Sequence, residues 1–222
     1  SSTWTGTGVL VGIIDTGIDL EHPDFWDSSG NTRIRHIWDM NGPSDGSKTG
    51  FECTQEEIQD GICTHSDEDG HGTHVAGTSA GNGASNIDYT GVAPAAELLI
   101  ADVFAADPSD GSSMVDVFSG LNSMIDEAGG DPLVVNMSLG SHLGPHDGTY
   151  VYDTALDEVV SDGTPVVVAA GNEGTLDEQD HHFVHVFTPG ESYSFDVNLD
   201  CLSAIDGEPG VTQTTIDVWY EA

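Results

Sequence analysis

An aspartate and a histidine stand in two glycine-bearing segments that suit acid–base chemistry. Asp15 follows the apolar run that begins at Val11, in Val-Gly-Ile-Ile-Asp-Thr-Gly-Ile-Asp, and His71 opens His-Gly-Thr-His-Val-Ala-Gly-Thr between Gly70 and Gly72. Small neighbours permit backbone conformations that larger side chains exclude. A rigid carboxylate at a strand end can hold one imidazole nitrogen, while the imidazole removes a proton from a nucleophile. The two segments therefore offer the residue types that general-base catalysis needs.

These segments resemble those of the subtilisin-like serine peptidases, the subtilases of peptidase family S8. Four segments match in the family's order, and the resemblance covers about residues 5–174. It implies that Asp15 and His71 are the aspartate and histidine of an Asp-His-Ser triad in a serine endopeptidase that hydrolyses peptide bonds. The substrate it implies is a peptide or protein.

The resemblance also assigns two later segments. Residues 134–140, Val-Val-Asn-Met-Ser-Leu-Gly, resemble the strand that binds extended substrate, so that Ser138, Leu139 and Gly140 would pair with a peptide by strand addition. Residues 169–174, Ala-Ala-Gly-Asn-Glu-Gly, resemble the segment that walls the primary specificity pocket. It implies Ala169, Ala170 and Gly171 as that wall and Asn172 as the donor to the oxyanion.

The nucleophilic serine is missing from this set. No Gly-Thr-Ser-Met-Ala type of segment occurs up to Ala222, and Ser79, in Gly-Thr-Ser-Ala, belongs to the same predicted helix as His71. Eight residues of helix separate these two side chains by about 12 Å along the axis. We therefore expect the remainder of the polypeptide to supply the serine, and this chain alone to be inactive. The alternatives are a pseudopeptidase that only binds peptides and an acidic extracellular structural domain.

Other interpretations of the same residues remain open. Asp15 alone would fit a strand-end cap or the Asp-Thr-Gly of aspartic peptidases, although Ile18-Asp19 and the later His-Gly-Thr-His favour the subtilase interpretation. His71 and His74 have a spacing suited to zinc, but the glutamate of zinc peptidases does not follow. Asn172 would also suit a turn beside its glycine neighbour.

Metal sites find weak support. The chemistry needs no cofactor, and a structural calcium ion is only weakly supported, since residues 81–90 match the family's calcium loop poorly and Asp24 is a faint ligand candidate. The run Asp67-Glu68-Asp69 suits solvated surface better than a cage. His181, His182 and His185 could chelate a transition metal, but residues of opposite strand parity face apart.

The elements that would position these residues alternate between strands and helices. Continuous apolar runs predict buried strands at 9–14, 98–104, 133–139 and 166–170, and helical spacing predicts helices at 73–80, 114–128 and 150–160. Ser112 or Ser113 is the expected N-cap of the second helix, which Gly129-Gly130 ends. The fold class is therefore α/β, with a doubly wound, mainly parallel sheet of the subtilisin type.

Domain organisation follows from changes in pattern. We predict a peptidase domain over residues 1–180, with a polar, acidic surface insertion at about 40–69. From residue 181 apolar residues mostly recur with a period of two, which predicts the start of an inserted antiparallel β-domain over 181–222.

The charge of the chain narrows the range of binding partners, and its cysteines allow one disulfide. The 222 residues include 39 acidic and three basic side chains, a net charge of −36, which disfavours nucleic acid and anionic membranes. Sparse lysine and abundant aspartate resemble proteins from strong brine, with calcium sites or an ordinary acidic secreted protein as alternatives. We expect a secreted or extracellular protein. Cys53 and Cys63 could close a small loop or stay apart, since spacing alone leaves both open.

Overall fold

A six-stranded sheet forms the centre of the described chain. The computed structural model describes residues 4–42, 49–104, 112–140 and 144–172. The strands run in the order β3-β2-β4-β1-β5-β6, and all pairs are parallel except β2 with β3. Their bounds are β1 Leu10–Asp15, β2 Ile34–Asp39, β3 Phe51–Thr54, β4 Glu97–Asp102, β5 Leu133–Met137 and β6 Val166–Val168. The predicted mainly parallel α/β sheet is confirmed.

In the described part of the chain, four α-helices connect and cover these strands: α1 Gln55–Gln59, α2 His71–Ala80, α3 Met114–Ala128 and α4 Val151–Ser161. The bounds of α3 are those predicted, because its end signals are local. The Ser113 hydroxyl accepts a hydrogen bond from the backbone N–H of Asp116, and Gly129 adopts a left-handed conformation with φ 59°.

Two hydrophobic clusters lie on opposite faces of the sheet. One contains Ile14, Leu99 and Val135 and packs against Val117 and Leu121 of α3. The other contains Ile13, Ile37, Leu98 and Ile100, together with Ala76 and Ala80 of α2. Alternate residues of one strand therefore face different helices, which explains why these strands read as continuously apolar.

The acidic stretch predicted as a surface insertion belongs partly to the core, which corrects that interpretation. It contributes β3 and α1, and it buries Cys53 and Ile58. Cys53 forms a disulfide with Cys63, which answers the question that spacing left open. The adjacent strand β2 was also missed, because Arg35 and His36 interrupt its apolar pattern.

A buried arginine ties three segments together where β2 begins. The guanidinium of Arg33 donates to the carbonyl oxygens of Asp24, Ala80 and Ala96, which lie in three separate parts of the chain. It is one of three basic residues in the sequence, and only 8% of it is exposed. Its rigid planar fork holds several acceptors in a fixed geometry, whereas a lysine ammonium is a point charge on a flexible stem.

The chain divides into two compact units. The first comprises Ser1–Gly140 and Val151–Gly171, and the second comprises Ser141–Tyr150 and Asn172–Ala222. The predicted antiparallel domain at 181–222 lies outside the described residues, so it stays a prediction. Within the described ranges, no helix combines the length and the apolar composition needed to cross a membrane.

Candidate active site

Asp15 and His71 meet where β1 ends and α2 begins. Nδ1 of His71 lies 2.6 Å from Oδ1 of Asp15, and the same oxygen accepts the backbone N–H of Thr16 at 2.8 Å. The Asp15 side chain is fully buried, whereas half of the His71 side chain remains exposed. The pair therefore has the arrangement that a general base needs, with a buried orienting carboxylate and an accessible imidazole.

The surroundings raise the pKa values of both Asp15 and His71. Burial raises the pKa of Asp15 above its ordinary value and outweighs the opposing hydrogen bond from His71. Oδ2 of Asp15 is buried and has no hydrogen-bond donor among the described residues. The hydrogen bond to Asp15 raises the pKa of His71 above 6.5, although partial burial opposes it. The site thus favours the imidazolium that forms when the base accepts a proton.

Asp67 secures the segment between the two residues, although its acidic neighbours predicted solvated surface. Its oxygens accept hydrogen bonds from the hydroxyls of Thr16 and Thr73 at 2.9 and 2.6 Å, and from the N–H groups of Gly70 and Thr73. The Thr16 hydroxyl in turn accepts the N–H of Gly72 at 2.9 Å. The solvated-surface interpretation is therefore wrong for Asp67, which joins the end of β1 to the start of α2.

A glycine explains how closely these two elements approach. A Cβ atom on Gly72 would lie 2.2 Å from the carbonyl oxygen of Gly17, which no side chain tolerates. Gly17 itself has φ 107°, in the region that favours glycine. Gly17 and Gly72 are thus required by the contact that brings Asp15 to His71.

The predicted substrate-binding segments follow β5 and β6. Ser138 and Leu139 are half-buried after β5, Gly140 is exposed, and the hydroxyl of Ser138 accepts the side-chain N–H of Asn136 at 3.0 Å. The N–H of Ala169 donates to the carbonyl of Met137 at 3.0 Å, which continues the pairing of these strands.

Ala169, Ala170 and Gly171 are exposed where β6 ends. Because β1, β5 and β6 are parallel neighbours, Asp15 and both segments lie at the same edge of the sheet. Asn172 belongs to the second unit, so its place beside the Asp–His pair stays a prediction, as do the roles assigned to these residues.

Asp24, the faint calcium candidate, anchors a loop. Its Oδ1 accepts the N–H and the hydroxyl of Ser85, each at 2.7 Å. Burial raises the pKa of Asp24, but these hydrogen bonds outweigh it, and the net pKa lies below the ordinary value. The carboxylate thus remains charged inside the fold, and a metal at this place stays a prediction.

Among the described residues, three side chains that sequence reasoning missed converge at one buried place. One potential ligand atom from each of Asp39, His65 and Asp102 lies within 4.8 Å of the others. Asp39 and Asp102 end the adjacent strands β2 and β4, and His65 lies six positions before His71. Strand-end aspartates were the available signal, but their convergence with His65 depends on long-range contacts.

Comparison with known proteins shows which family the chain resembles. The model of the Subtilase family matches residues 6–198. The "Major intracellular serine protease" of Bacillus subtilis is 36% identical over 176 residues, which span 78% of this chain and 46% of that protein. "Subtilisin E" of the same species is 35% identical over 175 residues, or 79% of this chain and 37% of that protein. The chain spans less than half the length of these relatives.

Two solved structures are similar to this chain in both fold and sequence. The structure of the CspB protease of Clostridium perfringens matches with a TM-score of 0.70 and 32% identity, covering 77% of this chain and 38% of that one. Sphericase matches with a TM-score of 0.55 and 30% identity, covering 79% of this chain and 49% of that one.

Proposed function

The chain belongs to the subtilase family, and we propose that it carries the aspartate, the histidine and the oxyanion asparagine of a serine-type endopeptidase. The observation that carries this proposal is the 2.6 Å contact between Oδ1 of Asp15 and Nδ1 of His71. The nucleophilic serine would come from the remainder of the same polypeptide, since a Gly-Thr-Ser-Met-Ala type of segment is not found in residues 1–222.

In the proposed reaction, an extended peptide lies along Ser138, Leu139 and Gly140. One side chain of that peptide enters a pocket walled by residues 169–171. His71 accepts the proton of the serine hydroxyl as the serine oxygen bonds to the carbonyl carbon. Asn172 donates a hydrogen bond to the oxyanion, a contact that contributes about 2.7–4 kcal/mol in subtilisin.

The histidine then returns the proton. The C–N bond breaks as imidazolium protonates the leaving amine, which leaves an acyl-enzyme. Water attacks that ester by the same route, with His71 again accepting a proton and then returning it to the serine. Asp15 remains ionised throughout, because its part is to orient and stabilise the imidazolium.

An oxidising compartment fits this function. Disulfides persist in secreted proteins and are rare in a reducing cytosol, so the Cys53–Cys63 bridge supports a secreted or extracellular location. The relatives differ on this point, since one is named intracellular and another is the "Minor extracellular protease Vpr" of Bacillus subtilis. The acidic coat suits neither nucleic acid nor anionic membrane as a partner. No cofactor enters the proposed chemistry.

The test is covalent labelling of the complete polypeptide with a peptidyl fluorophosphonate in multimolar KCl. We expect one labelled serine and hydrolysis of a chromogenic peptide. Asp15→Asn should lower kcat by about 10⁴-fold, because the amide holds the imidazole in the wrong tautomer. Asp60→Asn, which changes an exposed aspartate after α1, is the matched control. A folded wild-type protein that is neither labelled nor active would instead support a peptide-binding pseudopeptidase.

A further inference from the structure

A second Asp–His pair lies buried behind the loop that carries Asp15. Nδ1 of His65 is 2.8 Å from Oδ2 of Asp39, with the His65 side chain fully buried and the Asp39 side chain 11% exposed. On the other side of the ring, the backbone N–H of Ile18 donates to Nε2 of His65 at 3.1 Å. Ile18 lies three residues after Asp15, in the turn that leaves β1.

These contacts define the protonation of the ring. Because Nε2 accepts a hydrogen bond from Ile18, the proton of a neutral imidazole must be on Nδ1, where it donates to Asp39. Asp39 is fixed in turn, since its Oδ1 accepts the N–H groups of Asn41 and Gly42, each at 2.9 Å. Asp39 therefore orients His65, and His65 presents a fixed acceptor to the loop.

The ring also touches the loop directly. A Cβ atom on Gly17 would lie 2.4 Å from Nε2 of His65, and a Cβ atom on Gly72 would lie 2.2 Å from the carbonyl oxygen of Gly17. The backbone of Gly17 therefore contacts both the His65 ring and the first turn of α2. A shift of His65 displaces the segment that joins Asp15 to the helix of His71, because closely packed groups leave no free volume for it to move independently.

The chain that leads to His65 is itself anchored. Cys63, two residues before it, is bonded to Cys53 of β3, and β3 pairs with β2. Asp39 is the last residue of β2. One rigid assembly thus holds both members of the pair.

A metal ion explains this cluster less well. Asp102 lies within reach of Asp39 and His65, and the three could in principle ligate a cation. A metal needs a free lone pair on one imidazole nitrogen. Here Nε2 already accepts from Ile18, and Nδ1 contacts Asp39. Binding would break one of these hydrogen bonds.

We propose that His65, oriented by Asp39, is a positioning residue that holds the Thr16–Ile18 loop and thereby keeps Asp15 in contact with His71. Its effect on catalysis rests on the proposed function, whereas its effect on the geometry of the Asp–His pair does not. No contact of His65 with substrate is required.

The first readout is kinetic and uses the complete polypeptide. His65→Leu keeps a similar volume but leaves the Ile18 N–H without its acceptor. We expect kcat to fall roughly 10- to 100-fold with KM little changed, since small misplacements of catalytic groups have effects of this order. His65→Gln offers an amide oxygen to Ile18 and should recover most of the loss. His36→Leu, which removes another buried histidine from the sheet, should leave kcat near that of the wild type.

The second readout needs no activity. In protein labelled with ¹⁵N-histidine, NMR titration should show that His65→Leu lowers the pKa of His71 towards 6.5, because its contact with Asp15 loosens. His65→Gln should preserve the wild-type value. If His65→Leu does not fold, Asp39→Asn provides the same test, since it keeps the volume but removes the charge that orients the ring.

Three results would overturn the proposal. One is an unchanged pKa of His71 in His65→Leu, and another is an equal loss in His65→Leu, His65→Gln and His36→Leu, which would indicate a merely structural role. The third is stoichiometric metal in the purified protein that disappears in His65→Leu. A wild-type protein without peptidase activity would refute the proposed function, and the NMR titration would still decide the part played by His65.

Discussion

Among the described residues, several charged side chains lie buried against specific partner atoms. Asp15 is fully buried against His71, Arg33 binds three carbonyl oxygens, and Asp39 accepts two backbone N–H groups. A charge moved from water into a protein needs such partners to offset the lost hydration. The chemistry of the site follows from these placements, and their consequences depend on pH.

His71 should define the acid limb of the pH–rate profile. The base must be neutral to accept a proton, and the hydrogen bond to Asp15 raises the pKa of His71 above 6.5. We therefore expect kcat/KM to rise with pH through a midpoint above 6.5. The residual activity of Asp15→Asn should rise at a lower midpoint, because the bond to the carboxylate is lost. Profiles of kcat/KM for both proteins measure this, and coincident midpoints would contradict it.

Asp102 should make the folded state less stable as pH rises. Burial and the neighbouring charge of Asp39 raise the pKa of Asp102 from 3.8 to about 7. Since the folded pKa exceeds the unfolded one, the stabilising contribution is complete below 3.8 and is lost as pH rises through about 7.

Asp102→Asn should therefore raise Tm at pH 8 more than at pH 5, because the amide cannot ionise. Its oxygen can still accept the side-chain N–H of Asn41, which Asp102 binds at 3.1 Å. Thermal unfolding at both pH values measures the difference. Asp126→Asn, at an exposed position of α3, is the control and should show no such dependence. Equal shifts of Tm at the two pH values would count against this account.

Among the elements, β3 and α1 depend most on a covalent link. Both are short, β3 pairs only with β2 among the described strands, and the Cys53–Cys63 bridge closes this segment with a sequence separation of ten. A strand at the edge of a sheet forms fewer hydrogen bonds than a central one. The bridge compensates by restricting the unfolded chain.

Cys53→Ser should lower the free energy of unfolding by about 3 kcal/mol, as expected for a closed loop of this size. Urea unfolding with and without a thiol reductant measures the loss, and reduction of the wild type should reproduce it. Cys201→Ser removes the remaining cysteine of the sequence and is the matched control. A midpoint unaffected by both Cys53→Ser and reduction would refute the contribution of the bridge.

For the whole molecule, charge is the dominant property. A net charge of −36 on 222 residues produces a repulsion that salt must screen. At about 1 M salt the Debye length falls to about 3 Å, so that neighbouring surface carboxylates largely cease to repel one another. The brine interpretation of the composition therefore has a direct test in stability.

We expect Tm to rise by several degrees or more between dilute buffer and multimolar KCl. A variant that neutralises exposed acids around the end of α4, Asp157→Asn, Glu158→Gln and Asp162→Asn, should need less salt for the same Tm. Differential scanning calorimetry over a salt series measures both. A salt-independent Tm would leave the acidic composition without this explanation.

Prediction from sequence succeeded where the signals were local. The ends of α3 depend on Ser113 and Gly129, and the strands β1, β4, β5 and β6 depend on apolar runs of a few residues. It failed for β2, where Arg35 and His36 are accommodated by contacts outside the strand. It failed also for Asp67, which is surrounded in sequence by polar residues but accepts hydrogen bonds from Thr16 and Thr73.

The amino-acid sequence alone predicted that Asp15 and His71 would form a pair, because the motifs around both residues resemble those of the subtilases and differ from ordinary caps. Only the tertiary structure showed that a second, buried Asp–His pair contacts the loop that carries Asp15. His65 and Asp39 lie 26 positions apart and carry no local pattern, yet the sheet brings Nδ1 and Oδ2 within 2.8 Å of each other. Contacts of this kind depend on how strands are ordered and on where a disulfide closes, and neither is written in the neighbouring residues.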